Sequence, residues 1–286
     1  MGYLLGKILD PERRRKILLE RLTEPLHLNI ASLAVILFGS FRSKVAFDLV
    51  LRPQYAFGLL RAADMAAEQG IPEIACLEFG VASGAGLMNM AHIAARVTAA
   101  TGVRIQIHGF DSGHGMPAPQ DHRDHPELYA EGDFPMDVGA LRRGLPANAT
   151  LHLGALNETI PSYLKAASVP IGFAALDVDY YSSTVEALKV FDGPADLYLP
   201  AVVLHVDDIH LWSHHPWGGE LLAIAEFNKS RPLRKIAPMA FLRSKRLFKN
   251  AAWIDHIFAL HVLDHEVRRS TRRRRPRVIP NHYLPT

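Results

Sequence analysis

The run IACLEFGVASGAG, residues 74–86, decides the fold of this chain. A strand-sized apolar segment, residues 74–81, carries one acid, Glu78, and passes through Gly80, Gly84 and Gly86 into apolar residues three or four apart over residues 87–100. A short, nearly continuous apolar run and then period-3.6 patterning, on either side of glycines, read as a strand, a turn and a helix. Glycines at such a turn let a ligand approach the backbone and the helix N-terminus. The spacing is not the G-x-G-x-x-G dinucleotide fingerprint, and a glycine-rich turn can also be no more than a tight turn.

The same alternation continues outward. RIQIHGFD (104–111) precedes a helical pattern over 136–145, ATLHLGAL (149–156) one over 158–167, IGFAALDVD (171–179) one over 182–191, and AVVLHVDD (201–208) precedes GGELLAIAEFNK (218–229). Five strand–helix units imply a mostly parallel, Rossmann-like α/β sheet with helices on both faces. LRKIAPMAF (233–241) and WIDHIFALHVL (253–263) are expected to add an antiparallel pair at its end. The expected organisation is an N-terminal helical cap over 1–70, the sheet domain over 71–265 and a basic tail over 266–286. The long irregular stretch, residues 112–135, has the length of a lid or binding segment.

Hydrophobic residues make up 49% of the 286, ample for a packed core. The net charge of +3 is misleading, because seven arginines between Arg268 and Arg277 exceed it and leave the rest of the chain acidic. Such a tail is usually a solvated end, and nucleic acid or an anionic membrane surface is the partner it would take. The single cysteine, Cys76, excludes an internal disulfide framework and is expected in the core. The N-terminus lacks the signal-peptide pattern, which implies a cytoplasmic location. The apolar segment 28–41 is shorter than a membrane span and is expected as a packed or interfacial helix. A homo-oligomer is compatible with this reading.

In an open parallel sheet, ligands sit beyond the carboxyl ends of the strands. Those ends carry Glu78, Asp111, Asn157, the pair Asp177 and Asp179, and the pair Asp207 and Asp208. An acid at the position of Asp111 can accept both hydroxyls of a ribose, and its plainer role is a turn aspartate in DSGHG. Asn157 and Glu158 either reach an adenine or open a helix with Glu158 in its favourable first turn. The two acids closing an apolar strand are unusual, since buried strands stay apolar to the end. With Asp207 and Asp208 they bring three or four carboxylates to one edge, where a cation or shared protons relieve their repulsion. The plainer reading has Asp179 and Asp208 capping the helices that follow.

Four of these stretches resemble class I S-adenosylmethionine-dependent methyltransferases, and within them the metal-dependent sugar O-methyltransferases typified by macrocin O-methyltransferase. LEFGVASGAG resembles their acid-x-G-V-x-x-G-x motif, GFDSGHGMP their F-D-S-x-x-G-L-P, LDVDYYSSTVEAL their D-x-D-x-Y-x-S-T segment, and VVLHVDD a strand ending in Asp-Asp. The resemblance spans residues 73–229, about half of the chain. It implies S-adenosylmethionine held by Glu78, Gly80, Ser83, Gly84, Asp111, Ser112, Asn157 and Asp177. It further implies Mg²⁺ or another divalent cation on Asp177, Asp207 and Asp208, and Asp179 as the base. The implied reaction is direct methyl transfer to a hydroxyl of a small molecule or sugar-containing metabolite.

Residues 118–137, rich in histidine and acid, depart from that pattern, and the known members' sugar-binding residues have no match here. HVDDIHLWSHHPW surrounds the Asp-Asp pair with His205, His210, His214 and His215, His210 being best placed to reach the cleft. Two histidines and a carboxylate would instead imply an iron or zinc hydrolase or oxygenase. A binding protein that docks through its arginine tail and apolar N-terminal helix is the non-catalytic alternative. Ser182, Ser183 and Thr184 read as helix caps, Trp217 as core or the wall of a ring site, and Glu226 as a solvated helix residue.

Overall fold

The computed structural model describes residues 19–209 and 214–269. Strands β1 (Glu73–Phe79), β2 (Arg104–Asp111), β3 (Ala149–Leu153), β4 (Ile171–Leu176), β5 (Tyr198–Val206), β6 (Arg234–Pro238) and β7 (Ile257–Val262) form one seven-stranded sheet. Their order is β3-β2-β1-β4-β5-β7-β6. The first five are parallel, and β7 runs antiparallel to both β5 and β6. This is the expected Rossmann-like sheet with its antiparallel last strand in sequence, which inserts between β5 and β6. Order reverses between β1 and β4, the switch point at which such sheets open a crevice.

The main helices are α1 (Leu26–Phe38), α2 (Phe41–Ala46), α3 (Pro53–Glu68), α4 (Ala85–Thr101), α5 (Val138–Gly144), α6 (Leu156–Ala166), α7 (Tyr181–Leu188) and α8 (Gly219–Ser230). Alternation along each strand sends successive side chains to opposite faces. Ile74 and Cys76 therefore join Leu59, Leu87, Met90 and Phe173 in one core layer, while Leu77 and Phe79 join Phe110, Tyr163, Leu188 and Phe227 in the other. Cys76 is fully buried, as expected.

Helix α3 falls within the span expected to form the N-terminal helical cap. It packs on β1, β4 and β5 and is part of the layer that covers the sheet. Helix α1 departs from the packed alternative: Leu26, Ile30, Leu33, Leu37 and Phe38 are all exposed. No helix of the described residues is long and apolar enough to cross a membrane. The arginines from Arg272 onward lie outside the described residues.

Candidate functional site

The carboxyl ends of β1, β2, β4 and β5 open into a cleft of about 920 Å³. On the β1 side, two glycines permit close approaches. A Cβ at Gly80 would lie 1.7 Å from the Asp177 carbonyl oxygen, and one at Gly86 would lie 1.9 Å from Glu78 Oε1. Their absence brings β4 and the first turn of α4 against the end of β1. Glu78 is buried; its Oε1 accepts a 2.7 Å hydrogen bond from the Tyr55 hydroxyl, and its Oε2 has no partner among the described residues. Burial pushes this carboxyl up to about 7.

Asp111 closes the same side. Its Oδ2 accepts from the backbone N–H groups of Val81 and Ala82, both at 2.9 Å, and its Oδ1 from that of Gly113 at 2.7 Å. Three of a carboxylate's roughly four acceptor sites are thus filled, and the glycine turn is tied to β2. The turn-aspartate reading holds, and the carboxylate still lines the cleft.

The β4–β5 side is different. One ligand atom from each of Asp177, Asp207 and Asp208 lies within 4.8 Å of the others. Burial, then the neighbouring Asp207, Glu78 and Asp179, hold the Asp177 carboxyl well above the ordinary carboxylate range. Burial, followed by Glu220 and the three aspartates, pushes Asp208 up to about 11, and its Oδ2 is buried without a partner among the described residues. Asp179 is likewise raised by burial, and it sits at φ +57°, a left-handed conformation that costs a non-glycine residue on the order of 1–2 kcal/mol. Such strain often marks a functional position.

Two groups complete this side. Glu220, wholly buried in the first turn of α8, accepts the Asp208 N–H on Oε2 at 3.1 Å and the Val178 N–H on Oε1 at 3.4 Å. It thereby clips the ends of β4 and β5 together, and burial raises its carboxyl well above the usual range. The Tyr129 hydroxyl lies 3.5 Å from Asp208 Oδ1, to which it can donate. Three hard oxygen donors with an unpartnered buried oxygen among them fit a divalent cation of the Mg²⁺ type.

Tyr129 arrives on the long insertion, which is anchored by Asp124. The buried Asp124 accepts the Ser182 N–H on Oδ1 at 2.8 Å, and the Ser182 hydroxyl and Gln120 N–H on Oδ2, each at 2.9 Å. A carboxylate from the insertion therefore caps the N-terminus of α7, where the helix dipole favours negative charge.

No family model matches this sequence, and no curated protein matches it. Among solved structures, the fold is similar to the calicheamicin methyltransferase CalS11, at 19% identity over 77% of this chain and 85% of that one, with a TM-score of 0.48. It is also similar to an O-methyltransferase from Bacillus cereus in complex with SAH, at 15% identity over 74% and 81%, TM-score 0.39. A third is the O-methyltransferase TomG from Streptomyces achromogenes in complex with SAM, at 13% identity over 74% and 80%, TM-score 0.39. No score here reaches 0.5, so the functional reading rests on the geometry of the cleft itself.

That geometry gathers most of the residues singled out in the sequence. Glu78, Gly80, Ser83, Asp111, Ser112, Asn157, Asp177, Asp179, Asp207 and Asp208 all line the one cleft. Gly84 does not: it turns away beneath Leu141, whose Cδ1 would lie 2.3 Å from a Cβ there, and its φ of +81° serves the start of α4. The capping alternative for Asp179 and Asp208 fails, because α7 and α8 begin after Tyr180 and Gly218. Ser182 is capped rather than capping, and Thr184 returns its hydroxyl to the Tyr180 carbonyl at 2.7 Å.

Trp217 is 73% exposed and belongs neither to the core nor to the cleft lining. Glu226 accepts the Tyr181 hydroxyl at 2.6 Å on the exposed side of α8. His210 lies outside the described residues. Sequence reasoning missed Glu220, Tyr129 and Asp124. The available signals were an acid at a helix start directly after a Gly-Gly pair and a lone tyrosine within a polar insertion.

Proposed function

We propose that the chain transfers the methyl group of S-adenosylmethionine to a hydroxyl of a small-molecule acceptor, with a divalent cation held by Asp177, Asp207 and Asp208. The observation that carries this reading is the placement of both halves in one cleft: a glycine turn with Glu78 and Asp111 on one side, a strained Asp179 among carboxylates on the other. Asp111, already oriented by three backbone bonds, offers its remaining acceptor site to a ribose hydroxyl. The unpartnered Glu78 Oε2 suits an ammonium group, and the backbone freed by Gly80 and Gly86 leaves room for the amino-acid end of the cofactor. Ser83, Ser112 and Asn157 line the rest.

When bound, Mg²⁺ would neutralise the clustered carboxylates and make an acceptor hydroxyl more acidic. Asp179 would take the proton of that hydroxyl on a carboxylate oxygen, beside Asp208 and the Tyr129 hydroxyl that faces it. The acceptor oxygen then forms a bond to the sulfonium methyl carbon as the carbon–sulfur bond breaks, leaving S-adenosylhomocysteine. Alignment of oxygen, carbon and sulfur supplies most of the acceleration in such a displacement.

The test is a screen of hydroxyl-bearing acceptors, sugars and phenols included, read as S-adenosylhomocysteine formed by wild type and by Asp179→Asn. Product with wild type and its loss in the variant are expected. A protein that neither binds S-adenosylmethionine nor forms product with any acceptor would sink the proposal.

A further inference from the structure

His205, at the end of β5, is 2% exposed, and its Nδ1 has no hydrogen-bond partner among the described residues. Its Nε2 stands 3.6 Å from Asp207 Oδ1. That is long for a hydrogen bond, but near the roughly 3.3 Å separating two donors bound at about 2.0–2.1 Å to a tetrahedral ion. His256 closes the 3₁₀ turn Ala252–His256 and stacks on His205, with centroids 5.7 Å apart at 21°. Its Nδ1 is 2.9 Å from the Val206 carbonyl. A carbonyl can only accept, so this bond puts the proton on Nδ1 and leaves the lone pair on Nε2, the usual tautomer of a metal-ligating histidine.

One ligand atom from each of His205, Asp207 and His256 lies within 4.8 Å of the others. The edge of the Tyr55 ring, 5.5 Å away, steadies His205. Arg52 acts electrostatically on His205, and also on Glu78 and Asp177. The Asp207 side chain is 44% exposed toward the cleft, which provides an entry path.

We propose that His205, Asp207 and His256 form a second metal site, specific for a borderline transition-metal ion of the Zn²⁺ class. Two imidazoles and one carboxylate suit Zn²⁺, Co²⁺ or Fe²⁺, whereas Mg²⁺ prefers the all-oxygen set next to it. Asp207 is shared, so the two sites draw on one carboxylate and select their ions by its partners. The inference rests on this juxtaposition and not on methyl transfer.

The test uses the full chain, stripped with chelator and titrated with Co²⁺ while visible absorption is recorded, with Zn²⁺ as competitor. Wild type is expected to bind Co²⁺ with ligand-field bands that Zn²⁺ abolishes. His256→Ala and His256→Gln should each weaken Co²⁺ binding by more than the roughly 10–100-fold that loss of an outer-shell partner costs. Asp208→Asn should leave it within a few-fold. Melting curves show whether each variant is folded, and S-adenosylmethionine titration of the same samples reports separately on the methyl-transfer reading. Co²⁺ binding that survives both His256 substitutions, or that is lost in Asp208→Asn, overturns the site.

Discussion

On the β1–β2 side of the cleft, Asp111 commits its carboxylate to three backbone N–H groups, whereas on the β4–β5 side Asp177, Asp179, Asp208 and Glu220 confront one another with their charges raised toward neutrality. Both sides are built from the same element, a strand end feeding a loop. The first ties Asp111 into the backbone, and its one strained acid is Glu78, whose Oε2 is buried without a partner among the described residues. The second concentrates acids beyond what its own hydrogen bonds can offset, and an arrangement of that kind is stable only with protons or a cation. On the proposed function, the half that would hold the nucleoside has Asp111 already oriented by the backbone, and the half that would hold a cation keeps its carboxylates in mutual repulsion until one binds.

The contrast breaks most sharply at Asp207. Asp207→Asn should slow methyl transfer by about 100- to 1000-fold, the usual cost of removing one charge-stabilising group. Its affinity for S-adenosylmethionine, followed by calorimetry, should stay within a few-fold of wild type. Equal loss of both would mean that the two halves are one site.

Glu78 tests the boundary between them. Its pKa rises from the ordinary 4.5 to about 7, so the folded state holds the proton more tightly than the unfolded state. Stability from this group is complete below about 4.5 and is lost as pH climbs through about 7. Glu78→Gln should therefore be more stable than wild type at pH 8 by about 3 kcal/mol, with the gap closing by pH 5. Urea melts at the two pH values decide it, and a pH-independent difference would contradict the burial of a charge.

Asp111→Ala strands the Val81, Ala82 and Gly113 N–H groups and should lower stability by on the order of 2–3 kcal/mol, since each orphaned donor is costly. A smaller effect follows from Asp124→Ala, which removes the remote cap of α7 and should cost about 1–2 kcal/mol. Limited proteolysis should then cut faster within residues 118–135. Unchanged cleavage would mean that the insertion is held by other contacts.

The centre of the sheet was legible because β1 and β4 bury both faces, which leaves continuous apolar runs that glycines and acids punctuate. The aspartates of the cleft were legible for the same reason, as polar residues where the pattern demands apolar ones. Glu220 was not, because spacing along a helix says which residues share a face and nothing about what that face meets. Asp124 and Tyr129 hid in an insertion whose contacts are long-range, and His256 gained its meaning only when β7 docked beside β5. Gly84 misled because a glycine needed for a left-handed turn looks the same in sequence as one that admits a ligand.

The most direct measurement is calorimetric titration of S-adenosylmethionine into the full chain, with Mg²⁺ and with chelator, for wild type and Asp111→Ala. The account predicts one cofactor per chain for wild type under both conditions, and binding at least about tenfold weaker for the variant, as loss of one charged hydrogen-bonding group entails. No binding by wild type under either condition would contradict it.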